Sequence, residues 1–168
     1  SPEGIYNVGT VAMIMRMRKL PDGRIKILVQ GLCRAKINEF TQTQPFFAAR
    51  IEKIEENSYI TAPETEALMR NIREQLEKVI SLGKVLSPDI LMVLDDITDP
   101  SRMADLIASN LGLKVSEGQA ILETNNPVEK LNRISETLIK EIEVLSLQAK
   151  IRSQAKDEMT KSQKEYFL

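Results

Sequence analysis

The stretch Val11-Ala12-Met13-Ile14-Met15-Arg16-Met17-Arg18-Lys19-Leu20-Pro21-Asp22-Gly23-Arg24-Ile25-Lys26-Ile27-Leu28-Val29 decides the fold class. Val11, Met13, Met15 and Met17 share one parity, with Ile14, Arg16 and Arg18 on the other, the two-residue repeat of a strand. Leu20-Pro21-Asp22-Gly23 then supplies a turn, because proline fixes φ and glycine tolerates positive φ. Ile25, Ile27 and Val29 resume the alternation against Lys26, so the stretch reads as a β-hairpin. Gly31 interrupts the pattern and predicts a bulge or bend. A shorter strand around Ala35-Lys36-Ile37 and another from Phe47 to Ile54 are expected to follow.

After Thr61 the apolar period becomes that of helices. Pro63 suits a first turn, Leu68, Ile72, Leu76, Val79 and Ile80 recur at three- and four-residue steps, and Gly83 is placed to end that helix. Ser87-Pro88 and Asp99-Pro100 both read as an N-cap followed by proline at the first helical position. The second introduces Met103, Leu106, Ile107 and Leu111 and is closed by Gly112, while Ser116 with Gln119 fits a capping box for a short helix through Leu122. Asn126-Pro127 opens a segment with neither glycine nor proline through Leu168. As one helix it would run roughly 63 Å, about twice the width of a small domain, so it is expected to project from its bundle. Its apolar stripe thins beyond Ile151. The fold class is α+β: a partial β domain over 1–60, a helical bundle over 61–125 and a long helix over 126–168.

Composition narrows the chemistry. The chain has 168 residues with 23 basic and 24 acidic side chains, no histidine, no tryptophan and one cysteine. A lone cysteine rules out an internal disulfide and fits a reducing, cytoplasmic setting. The missing histidines remove the commonest general base and metal ligand. No apolar run of about 18 residues exists, so no membrane partner is expected. A phosphate-cradling loop is unsupported, since Gly83-Lys84 is followed by Val85 without the upstream glycine. Cys33 reads as a half-buried core residue, and Asp95-Asp96 diverge around a helix instead of forming a catalytic pair. A Ser-Lys dyad has the residue types but no glycine-rich elbow to present the serine. No catalytic, cofactor or metal residue is assigned.

Three features remain for binding. The first sixty residues carry nine basic against six acidic side chains, yet no aromatic is interleaved with them, so DNA stays a possible but unsupported partner. Met13, Met15 and Met17, with Phe46 and Phe47, form either packed core or an adaptable apolar surface. Tyr166-Phe167-Leu168 ends a polar helix on apolar residues. That ending, and a start at Ser1 without methionine, read as two cuts in a longer protein.

Three segments resemble the Lon family of ATP-dependent proteases: Val8-Gly9-Thr10-Val11-Ala12 through Leu28-Val29-Gln30-Gly31-Leu32-Cys33-Arg34-Ala35, then Asp99-Pro100-Ser101-Arg102-Met103-Ala104-Asp105-Leu106, then Lys161-Ser162-Gln163-Lys164-Glu165-Tyr166-Phe167-Leu168. Gly118 stands where the family usually has Lys or another helix former, and Asn125-Asn126-Pro127 replaces a more acidic helix start, which puts only local helix boundaries in doubt. The resemblance implies a barrel-like (PUA-like) sheet here lacking its first strands, and a parent protein with an ATPase module and a Ser-Lys protease lying outside this chain. It implies ATP and Mg for that parent, a cytoplasmic homohexamer with other Lon subunits, and unfolded or damaged proteins as substrates. The expected role is non-catalytic substrate recognition with support for the hexamer. A structural spacer and a nucleic-acid-binding module are the alternatives. Met13, Met15, Met17, Phe46, Phe47, Tyr166, Phe167 and Leu168 are the expected contacts.

Overall fold

A computed structural model describes residues 1–56 and 62–167. Contacts divide the chain into two compact units, residues 1–58 and 59–168. The boundary expected at 60/61, with Tyr59, lies outside the described residues.

In the first unit, a single 3-10 turn at Pro2–Gly4 precedes three antiparallel strands, β1 (Val8–Lys19), β2 (Ile25–Gln42) and β3 (Ala48–Lys53), in spatial order β1-β2-β3. The sheet is open and not a closed barrel, because three strands cannot curl far enough to pair their own edges. The hairpin forms where the sequence places it. Gly23 takes φ 87°, and Leu20 N donates to Arg24 O at 2.8 Å. Asp22 ties the turn by accepting from Arg24 N at 3.0 Å. β2 runs unbroken through Gly31, so the separate strand expected at residues 35–37 is the far end of one long strand. A bulge does occur beside Gly31: Ala12 pairs Gly31 and Val11 pairs Cys33, which leaves Leu32 over. Arg34 and Ala35 are the buried residues of this unit, and Arg34 Nε donates to Glu56 Oε1 at 2.8 Å. Cys33 is half-buried.

The second unit has a conventional core. Its helices are α1 (Pro63–Ser81), α2 (Ile90–Asp95), α3 (Pro100–Asn110), α4 (Val115–Glu123) and α5 (Pro127–Phe167). Ile72, Leu76 and Val79 of α1 meet Met103, Ala104 and Ile107 of α3 and Leu131, Ile134 and Leu138 of α5. Asp99 caps α3 by accepting from Ser101 N at 2.9 Å. Asn126 caps α5 by accepting from Val128 N at 2.9 Å. Gly83 and Gly112, at φ 103° and 63°, close the helices before them.

Two expected starts fail. Ser87-Pro88 only makes a turn, Ile90 N donating to Ser87 O, and α2 begins at Ile90. The Ser116–Gln119 capping box does not form: α4 starts at Val115, two residues before the start that a Ser116 cap would give, so Ser116 lies inside the helix and Gln119 donates forward to Glu123. α5 is one continuous helix of 41 described residues, roughly 60 Å long. Its buried residues stop at Leu138, and every described residue from 146 onward is exposed. Its outer half therefore projects from the core.

Candidate functional site

Among the described residues of the strand unit, an exposed apolar surface stands out. Cross-strand partners in an antiparallel ladder point to the same face. Ile14 pairs Val29, Met17 pairs Ile27 and Lys19 pairs Ile25. One face of the hairpin therefore gathers Ile14, Met17, Ile25, Ile27 and Val29, each between 50% and 64% exposed, with Lys19 at its turn end across from Ile25. The opposite face carries Met13 across from Gln30, Arg16 across from Leu28 and Arg18 across from Lys26.

This register corrects the shared methionine stripe. Ile14 pairs Val29 and Arg16 pairs Leu28, so Met15 is an extra residue in a β-bulge. Across it the parity reverses: Met13 and Met17 lie on opposite faces although they are four residues apart. All three methionines are exposed.

Phe46 and Phe47 sit in the connection between β2 and β3, both exposed, with Phe47 edge-on to Phe40 at a centroid distance of 5.8 Å. Tyr166 and Phe167 are 85% exposed at the end of α5 and pack edge-on against each other at 5.6 Å. They belong to the other unit. Leu168 lies outside the described residues. The structure thus brings Met17 together with Ile14, Ile25, Ile27 and Val29, four residues whose alternation alone marks them only as strand formers. Their signal was present in the alternation at 25, 27 and 29. What periodicity lacks is any statement of whether a partner layer covers that face.

The hairpin is also strongly basic. Arg16, Arg18, Lys19, Arg24 and Lys26 face one carboxylate, Asp22, which is already bound to Arg24 Nε at 2.6 Å. Among the described residues no cluster of three metal-ligating side chains occurs, and no helix is long and apolar enough to cross a membrane.

Among the described residues the hairpin thus offers a row of exposed apolar side chains. The chain belongs to the family of the ATP-dependent protease La (LON) substrate-binding domain, whose sequence pattern matches residues 1–140. It is 57% identical over its whole length to a Lon protease of Trichlorobacter lovleyi and 56% identical to Lon protease 2 of Bdellovibrio bacteriovorus. It spans only about a fifth of either protein (21%). The fold is similar to the N-terminal domain of the Mycobacterium avium complex Lon protease, with TM-score 0.62 and 23% identity over 82% of this chain and 70% of that one. A Lon N-terminal domain protein from Xanthomonas campestris is similar at TM-score 0.54 and 15% identity, over 78% of this chain and 68% of that one.

Proposed function

We propose that this chain is the part of an ATP-dependent protease that engages unfolded or damaged polypeptides before they are degraded, with the apolar face of the β1–β2 hairpin as the contact. The observation that carries the reading is the match of residues 1–140 to a substrate-binding domain. The exposed face of Ile14, Met17, Ile25, Ile27 and Val29 supplies the physical means, since an adaptable apolar surface accepts many sequences where a polar pocket accepts few. Phe46 and Phe47 are further exposed apolar side chains of the same unit, in the connection between β2 and β3. ATP and Mg would act in the ATPase portion of the longer protein, the protease chemistry would lie there too, and the whole would work in the cytoplasm.

The outer half of α5 favours a second role beside the first. Val144, Leu147, Ile151, Ala155 and Met159 recur at three- and four-residue steps along one side of that helix, all exposed. The matched pattern stops at residue 140, before this stripe. We assign the stripe, with Tyr166, Phe167 and Leu168, to support of a homohexamer with other subunits.

Fluorescence anisotropy of a labelled, permanently unfolded casein with the whole chain tests the recognition role. Ile27→Asp should weaken binding about tenfold while leaving the circular dichroism unchanged. If casein binds neither form, the chain acts as a spacer and the recognition role is wrong.

A further inference from the structure

We infer that Lys130, held by Ser101 and Asp105, is the joint that aims α5, fixing the angle at which the long helix leaves α3. The joint is independent of the recognition role above. α5 passes out of the matched region at residue 140 and continues to Phe167, so its angle at the bundle sets where its outer half lies. From Lys130 to Phe167 the helix runs about 55 Å, so a tilt of about 10° at its base carries the far end about 10 Å sideways. A small freedom at the base is thus a large one at the tip. The joint sits at the near end of the helix, so it sets this angle whatever meets the far end.

Apolar packing alone leaves that freedom. Leu131, Ile134 and Leu138 are buried against α1 and α3, but apolar burial is non-directional and tolerates a modest tilt. The Lys130 ammonium does not. It is 1% exposed, and its Nζ meets Ser101 Oγ at 3.0 Å and Asp105 Oδ1 at 2.9 Å, two side chains one turn apart on α3. A tilt that withdraws Nζ from both oxygens leaves a buried charge without a partner, which is strongly unfavourable. Two other polar ties hold α5, through Gln75 of α1 to Ser135 at 3.1 Å and through Lys84 to Glu141 at 3.0 Å. Lys84 and Glu141 are 25% and 31% exposed, so water replaces either partner when that pair opens. The buried tie therefore decides the angle and the wetter ones follow it. It also gives Asp105, in the segment from Asp99 to Leu106 that the sequence singles out, a use that capping of α3 by Asp99 does not. Stabilisation alone is the competing account, but a buried ion pair adds little net stability over well-packed apolar groups. The two roles therefore separate in Lys130→Met, which should keep the fold and lose the aim.

The test is pulsed electron resonance of the whole chain, with Cys33→Ala and nitroxides on pairs of introduced cysteines. The pairs Asn71→Cys with Ser153→Cys and Ser109→Cys with Ser153→Cys report α5 against α1 and against α3, and all three positions are exposed. The pair Ser146→Cys with Ser162→Cys, also exposed, reports the outer half of α5 alone. With Lys130 in place each pair should give one narrow distance. Lys130→Met should spread the distances to position 153 by about 6 Å, the displacement of that position for a tilt of about 10°. The pair at 146 and 162 should not change, and Lys84→Met should leave all three pairs narrow. Narrow distances to position 153 in Lys130→Met would overturn the inference, as would equal spreading by Lys84→Met. Spreading at 146 and 162 as well would also overturn it, because the helix is then fraying and not tilting. Where Lys130→Met does not fold, Asp105→Asn keeps an oxygen beside the ammonium but removes the charge. It should spread the same two distances to a lesser degree, and narrow distances there would contradict the joint equally.

Discussion

Met15 is one residue more than the β1–β2 ladder can pair, and it decides which side chains share a face. Because the bulge absorbs it, Met17 joins Ile27 on the apolar side while Met13 stands across from Gln30 on the basic side. Met17→Asp should therefore weaken casein binding several-fold and Met13→Asp far less, in the same anisotropy titration. Both sites are exposed, so neither change should move stability by more than about 0.5 kcal/mol.

Lys130 poses a different residue-scale question. It is 1% exposed, and its Nζ lies 3.0 Å from Ser101 Oγ and 2.9 Å from Asp105 Oδ1, joining the first turn of α5 to α3. Asp105 is half exposed, so water weakens the pair, but removing it strands a buried ammonium. Asp105→Ala should cost about 1–3 kcal/mol in urea unfolding, and Lys130→Met, which removes the charge itself, less than half of that.

At this scale the sequence was legible wherever one residue's own chemistry settles the matter. Asp99 before proline caps α3, and Gly23 takes positive φ, as their residue types require. It was not legible at Met15 or Ser116. A bulge depends on the partner strand's register, and the capping box at Ser116 is excluded because α4 already starts at Val115, which places Ser116 inside the helix.

α5 joins a packed half to a solvated one. Leu131, Ile134 and Leu138 are fully buried, whereas nothing covers the described residues past 146. An isolated helical stretch without tertiary contacts is only marginally stable, so the outer half is held by continuity with the inner half and by propensity. Proline separates the two. Ser135→Pro falls in the packed half, where Ser135 Oγ also meets Gln75 Oε1 at 3.1 Å, and should cost about 3 kcal/mol or more. Ser153→Pro should lower far-UV helicity while leaving the bundle's urea midpoint nearly unchanged. The length of this helix was readable from the absence of glycine and proline, and its projection from simple geometry. The sheet was less readable at this scale, since Gly31 marks the bulge at Leu32 but does not end the strand.

Taken whole, the chain comprises a cored helical unit and a sheet whose buried residues are Arg34 and Ala35. A three-stranded sheet normally needs a layer against its apolar face. Here both faces remain accessible, and the chain spans about a fifth of the Lon proteases it matches. The family was legible in three short segments. The candidate surface was only partly so, because exposure is a property of what packs on a face and not of the strand that forms it. A photo-crosslinking amino acid at position 27, 28 or 153, with unfolded casein as the target, tests the central claim most directly. Position 27 on the apolar face should crosslink strongly, position 28 on the opposite face weakly and position 153 on α5 hardly at all; equal yields at the three sites, or crosslinks only from 153, would contradict recognition by the hairpin.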